Sequence, residues 1–247
     1  MKKIIFLLFV LAQSHLIFAQ NIVLDFTFIK AENIAEYDDQ LNTYFKVANQ
    51  KMIDDGQALG WHVWKVINGP QTPFTHVAVT TYDLDKMDED YKVSSWAERL
   101  PDITEDHLQL IGQSINANRK IVFSTTVLNV AEVMQTGVTT IPDIAVMNLM
   151  KAKQDKYKSY EDFEKSMTKS IPTGNPRKGW SLARRIDRVG TEMSWTHFTV
   201  DWYDKYSDFL KTTTGPAWDA DKSYQELMKL RDLTDRVVLE KFIFLNN

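Results

Sequence analysis

The chain contains no cysteine. That excludes disulfides, thiolate metal sites, a cysteine nucleophile and a lipid anchor attached through cysteine. Long apolar runs are also missing. Beyond the first residues, no stretch approaches the roughly 18 consecutive apolar residues that a membrane-crossing helix needs. Positive charge is not in excess: 29 Lys and Arg stand against 33 Asp and Glu, a formal net charge of −4. No Lys/Arg block is present either, so nucleic acid and anionic lipid headgroups are poorly matched partners. There is no GxSxG elbow, no phosphate-binding P-loop, no GxGxxG after a strand and no HExxH. The common hydrolase, NTPase and dinucleotide chemistries lose their usual signatures, and no metal site is expected.

What is present begins with an export signal. Lys2 and Lys3 form a basic start, Ile4 to Ala12 a short apolar core, and Ile17-Phe18-Ala19 a cleavage site. The apolar core is too short and interrupted to span a bilayer comfortably. Residues 1–19 are therefore read as a signal peptide. The mature protein, starting at Gln20, is expected to be soluble, without membrane attachment, and periplasmic or secreted.

The rest of the chain is organised around a repeat. Thr75-His76-Val77-Ala78-Val79-Thr80-Thr81-Tyr82-Asp83 returns as Thr196-His197-Phe198-Thr199-Val200-Asp201-Trp202-Tyr203-Asp204, with five of nine positions identical. Further pairs follow in the same order: Tyr37 and Tyr160, Gly60-Trp61 and Gly179-Trp180, Trp96 and Trp218, Arg119 and Arg236, Leu128-Asn129 and Leu245-Asn246. Periodicity gives the elements. Ile22–Ile29 alternates as a strand, and Asn33–Asp55 carries Tyr37, Leu41, Tyr44, Phe45, Ala48 and Met52 at helical spacing. Trp61–Ile67 and Phe74–Thr81 form a hairpin around Asn68-Gly69-Pro70. Thr104 caps a second helix, and Lys120–Leu128 is a fourth strand. The second half repeats this with a strand at Ile144–Met150 and a helix capped by Ser159. A hairpin of Trp180–Ile186 and Trp195–Trp202, a helix over Tyr224–Arg236 and a strand over Val237–Leu245 follow.

Each half thus reads as β-α-β-β-α-β, the ferredoxin-like order. The expected organisation is a first unit over 20–135, a linker at 136–142 and a second unit over 143–247. Such a unit has helices on only one sheet face, and two sheets packed face to face cover each other. The predicted fold class is α+β, two tandem units forming a pseudo-twofold barrel. In its repeats and topology the chain resembles the dimeric α+β barrel superfamily in a tandem-duplicated form. That group includes NIPSNAP-like and EthD-like proteins, antibiotic-biosynthesis monooxygenases and the chlorite dismutase group. The resemblance implies a cofactor-independent oxygenase or isomerase activity as one option. Haem is another, with His62, His76, His107 or His197 as the proximal ligand; otherwise no cofactor is expected.

Alternate strand residues share a face. Val77 and Val79, with Phe198, Val200 and Trp202, form an apolar face that is expected to meet the helices. Leu24 and Phe26, with Met147 and Leu149, go with it. The opposite face is expected to line the barrel. It carries His76, Thr80, Tyr82, His197, Thr199, Asp201 and Tyr203, together with Asp25 and Asn148. His76 and His197 are then proton-transfer or ligand-contacting groups, or hydrogen bonds that hold the sheet. His197 with Asp201, which replaces Thr80 in the second half, forms the candidate catalytic pair. Trp61 and Trp180 either stack on a ligand or pack the barrel rim. Tyr82 and Tyr203 place hydroxyls at the cavity mouth or simply end their strands. Of Arg184-Arg185, one must point inward, toward an anion or an acidic partner. Three functional outcomes stay open: a protein that binds a small, partly apolar molecule between the sheets, an enzyme using a barrel His or Asp as base, and a structural protein with a filled barrel. Oligomeric state is not specified by these features.

Overall fold

Strand β1 (Ile22–Ala31) is rich in branched and aromatic residues and lies in the middle of its half. It pairs antiparallel with β3 (His76–Asp83) on one side and β4 (Arg119–Met134) on the other. β2 (Gly60–Val66) completes this half by pairing with β3. In the second half β5 (Ile144–Ala152) lies between β7 (His197–Tyr203) and β8 (Arg231–Asn246), and β6 (Arg177–Arg185) pairs with β7. Two seams, β2·β8 and β4·β6, join the halves, so the eight antiparallel strands close into a barrel in the order β1-β3-β2-β8-β5-β7-β6-β4. This is a computed structural model, and it describes residues 21–68, 72–86, 94–214 and 222–246. The expected signal peptide, the Gly69-Pro70 turn and Trp218 lie outside the described residues.

Helices cover the outside. In the first half α1 (Ile34–Gln40) runs through a wider turn at Leu41–Phe45 into α2 (Lys46–Asp54), and Asn33 caps the start by accepting from the Glu36 amide. α3 (Trp96–Arg99) opens with a Ser95–Glu98 capping box, and α4 (Glu105–Asn118) follows. The second half has the shorter α5 (Tyr157–Met167), α6 (Tyr206–Thr213) and α7 (Lys222–Met228). No described helix is long and apolar enough to cross a membrane.

Three sequence expectations about elements need correction. The helix expected over Tyr224–Arg236 stops at Met228, because Arg231 and Leu233 pair with Ala152 and Met150 of β5. Ladder hydrogen bonds outweigh helix propensity there. Ser159 lies inside α5 rather than capping it. β4 runs on to Met134, past the expected end at Leu128, because its second half continues into the β6 pairing.

The assignment of sheet faces is reversed throughout. Phe26, Val77, Val79, Met147, Leu149, Phe198 and Val200 form the core inside the barrel. The sides that carry the histidines face the helices. Each sheet has only one other sheet to meet, and that meeting surface excludes water most completely, so the larger apolar set goes there. The helices supply the polar partners that the outer faces need.

Candidate functional site

One end of the barrel is plugged by aromatic rings. Phe28 stacks on Phe123 at 4.1 Å and meets Phe74 edge-on at 4.8 Å, while Trp195 packs against Phe198 at 6.0 Å. At the other end a cavity of about 550 Å³ remains. Its wall is mostly apolar, with Leu24, Trp64, Val79, Met147, Phe198 and Leu239 among the lining residues. The polar groups in it are His62, Thr81, Asn129, Glu132, Ser181 and the indole of Trp202.

The two seams place these groups. β4 carries one extra residue between Asn129 and Ala131, a bulge that shifts the alternation. Asn129, opposite Ala183, and Glu132, opposite Ser181, therefore both line the cavity. β8 has its bulge at the matching place, between Ile243 and Lys241. There His62 lies opposite Phe244 and stacks on it, with ring centroids 3.6 Å apart and planes within 4°. One seam is thus an aromatic wall, and the other carries a carboxyl, an amide and a hydroxyl.

Glu132 is reachable by solvent through the cavity, yet the surrounding protein raises its carboxyl above the usual carboxylate range. Loss of hydration is the main cause, and the Asn129 amide offsets part of it. Burial lowers the pKa of His62, against hydrogen bonds with Asn246 (2.8 Å) and the Leu245 carbonyl, so the ring is neutral near pH 7. The Trp202 indole N–H is buried without a partner. Such an N–H costs about 1–3 kcal/mol and is a donor in waiting. Trp202 reaches the cavity beside Gly179, where any Cβ would sit 2.7 Å from the indole Cδ1 and collide with the Met134 side chain.

None of the eight residues expected to touch a ligand inside the barrel lines the cavity. His76 and His197 are fully buried, with 0% exposure, on the helix side. The His76 Nε2 is 3.0 Å from Asp38 of α1, and its Nδ1 is 2.9 Å from the Thr75 hydroxyl. The His197 Nε2 is 3.2 Å from Glu161 of α5, and its Nδ1 is 2.9 Å from Thr196. A carboxylate only accepts, so Nε2 carries the proton in both rings. Burial lowers both pKa values, with the carboxylates pulling the other way. Lys65 reaches Asp38 at 2.5 Å, and Arg184 reaches Glu161 at 2.9 Å. Each set ties a helix to its sheet. Of Arg184-Arg185, Arg184 thus takes the acidic partner, and Arg185 pairs with Asp187.

The others are also outside. Trp61 packs with Phe45 under the first-half helices, and Trp180 packs with Tyr160 and Leu227 under the second. Tyr82 belongs to the first outer cluster, Tyr203 packs against Phe209, and Asp25 accepts from Thr126 at 2.6 Å. Asn148 and Asp201 share a hydrogen bond of 3.1 Å, and Asp201 also accepts from Arg177 at 3.0 Å. Asp201 and His197 therefore form no pair; each has its own partner. The sequence reading missed Glu132, Asn129, Ser181 and Trp202. The available signal was Glu132 itself, a lone acid in the apolar run Val127 to Met134.

Of the four candidate haem ligands, only His62 lines the cavity, and its Nε2 is engaged by Asn246 while the ring face lies against Phe244. His107 is exposed on α4. The barrel as built offers haem no free imidazole. No group of three or more His, Asp or Glu side chains arranged to hold a metal occurs among the described residues.

No protein-family model and no curated protein sequence matches the chain. Solved structures do. A protein described as a candidate monooxygenase from Fusobacterium nucleatum matches over 93% of this chain and 96% of its own, with 11% identity and a TM-score of 0.55. An anthrone oxidase-like protein matches over 91% and 92%, with 8% identity and a TM-score of 0.57. A candidate monooxygenase from Lactobacillus acidophilus matches over 92% and 97%, with 10% identity and a TM-score of 0.51. At these identities the likeness is one of fold, the ferredoxin-like α+β arrangement.

Proposed function

We propose that the chain is an exported barrel protein, built from two copies of one ferredoxin-like unit, that binds a single small and mostly apolar molecule inside the barrel. The observation that carries this reading is the cavity. Its size falls within the roughly 300–1,000 Å³ common for small-molecule sites, its walls are apolar, and a few polar groups converge on it. A barrel meant only as a filled core would not leave an indole N–H unpartnered beside an open volume. The ligand is expected to contact the aromatic wall formed by Trp64 and the His62–Phe244 stack. It carries an acceptor for the Trp202 N–H and a hydroxyl or similar group for Glu132. Export rests on the basic, apolar and cleavable segments of residues 1–19.

Glu132 favours a second reading, in which the bound molecule is also transformed. A carboxylate whose pKa is raised at the wall of an apolar cavity is a stronger base than a free one, suited to an acidic C–H or phenolic O–H. That role passes to Glu132 from His197 and Asp201, which lie outside the barrel.

Native mass spectrometry and an absorbance spectrum of protein purified from its exported compartment test the binding reading, and N-terminal sequencing tests cleavage after Ala19. A bound mass, or a saturable rise in Tm with electron-rich phenols or quinols that Trp202→Phe weakens, supports it. No bound mass and no stabilisation across such a screen sink it. Turnover of a bound phenol that Glu132→Gln abolishes, without loss of binding, supports the second reading.

A further inference from the structure

Beyond the barrel cavity, we infer that the second half holds a separate site for a small anion, a carboxylate or oxyanion, built around Arg231. The site lies on the outer sheet face beneath α5 and α7, in a cavity of about 350 Å³. Arg231 is only 3% exposed and lines it, yet its Nε and Nη1 have no hydrogen-bond partner. Glu164 is near enough to feel the Arg231 charge, but it leaves these two nitrogens without a hydrogen bond. A buried guanidinium with two idle donors is costly, and its planar fork matches a carboxylate or phosphate.

The first half shows what the unit does when no ligand is needed. Arg119 begins β4 opposite Ala31, as Arg231 begins β8 opposite Ala152. Register, then, makes Arg231 and not Arg236 the counterpart of Arg119. Arg119 donates to the Tyr37 hydroxyl at 3.2 Å and lies 4.9 Å over the Phe45 ring. In the second half α5 ends at Met167, and Arg231 lies 5.4 Å from the Tyr224 ring of α7, yet its Nε and Nη1 stay unpartnered beside the cavity.

The charges agree with an anion. Arg177, Arg231 and Arg236 line this cavity with Asp201 and Glu164. Asp201 accepts from Arg177 and Asn148 and also acts electrostatically on Arg236, which donates to the Asn148 amide oxygen at 2.6 Å. Burial raises the pKa of Glu164, with Asp201 adding to it, while the nearby Arg231 charge and the Tyr160 hydroxyl pull the other way.

The test is a titration of the isotope-labelled full-length mature protein with succinate, and separately with inorganic phosphate, against sodium chloride at matched ionic strength. The readout is the arginine Nε–Hε signals. One signal, absent from Arg231→Gln, should move saturably with succinate or phosphate and stay still in chloride. A response equal in chloride, or unchanged in Arg231→Gln, overturns the site. Should Arg231→Gln fail to fold, Glu164→Gln removes the competing carboxyl and should tighten succinate binding several-fold; unchanged or weaker binding overturns the proposal. Glu132→Gln serves as the control for the barrel. It should leave the titration as it was, and loss of the response there would move the anion into the barrel and refute a separate site.

Discussion

On the outer faces of the two halves, Lys65–Asp38–His76–Thr75 and Arg184–Glu161–His197–Thr196 form the same chain of contacts, with a neighbouring Tyr edge-on to each imidazole at 5.0 and 5.1 Å. At the seams the bulges also fall at matching places. What fills the matched frame differs. His62 and Phe244 stand where the other seam has Ser181 and Glu132, and Arg119 donates to Tyr37 beneath Phe45 where Arg231, beneath Tyr224, leaves two nitrogens unpartnered beside a cavity. Contacts that hold helix to sheet are the same in both halves, while contacts around hollow space have diverged. That separation is how a scaffold is told from a site in this protein.

The comparison can be broken most forcefully at the histidines. His76→Ala and His197→Ala should each cost about 3 kcal/mol, from the lost hydrogen bond to a carboxylate and the cavity left behind. For a domain of this size that lowers Tm by roughly 6–12 °C. Chemical denaturation should find the two losses within about 1 kcal/mol of each other; a near-silent variant at either position would mean that the two locks are not equivalent. Both rings have lowered folded-state pKa values, so the unfolded chain takes up protons first. Their contribution is complete above the unfolded value of about 6.5 and is lost as pH falls through the folded values.

Next come the matched glycines. A Cβ at Gly60 would sit 2.9 Å from the Leu245 carbonyl, which is backbone, whereas at Gly179 the obstacles are the Met134 and Trp202 side chains. Gly60→Ala should cost about 2–3 kcal/mol and Gly179→Ala about 1 kcal/mol. The reverse order, measured by the same denaturation, would show that the β4·β6 seam is the tighter one.

A smaller effect separates the arginines. Arg119→Gln should destabilise by about 1 kcal/mol, through the lost bond to Tyr37 and the lost ring contacts. Arg231→Gln should cost less than that without ligand, because two of its buried guanidinium nitrogens have no hydrogen bond to lose. Equal losses would mean that Arg231 is held as firmly as Arg119. The smallest effect belongs to Glu132→Gln. The raised pKa means that the folded state resists ionisation, so stability falls as pH rises from the unfolded value through the folded one. The variant should therefore melt slightly higher than the parent at pH 7.5 and equally at pH 4, and a variant less stable at pH 7.5 would contradict the assigned cause.

Much of the fold was legible. The Thr-His and Tyr-Asp repeat marks β3 and β7, alternation marks β1, and helical spacing from Tyr37 to Met52 marks α1 and α2. The barrel's inside was not. Both faces of β3 are acceptable interiors by composition, and the decision depends on partners from other elements. Asp38 follows Tyr37 and Glu161 follows Tyr160, so a repeated aromatic-acid pair was available, and it places an acceptor under each histidine. Glu132 was hidden for another reason. A bulge at Val130 resets the alternation, and no local residue pattern announces it. The α7–β8 boundary failed because Arg231 to Arg236 owes its strand state to β5, far earlier in the chain, as the pairing of Ala152 with Arg231 and Asn148 with Arg236 shows.

β8 has a further consequence, one of timing. It pairs with β5 on one side and β2 on the other, bringing Gly60 against Asn246 from opposite ends of the chain. Contacts so distant in sequence form slowly, because loop-closure entropy is lost before any bond repays it. Until β8 arrives, β2 is an open edge able to pair with another chain. The hollow inside the barrel comes into existence only with that last closure. A molecule bound there, as proposed, would enter a finished barrel. A chain stopped before Arg231 should lose the cavity while keeping the whole first sheet to present to aggregation.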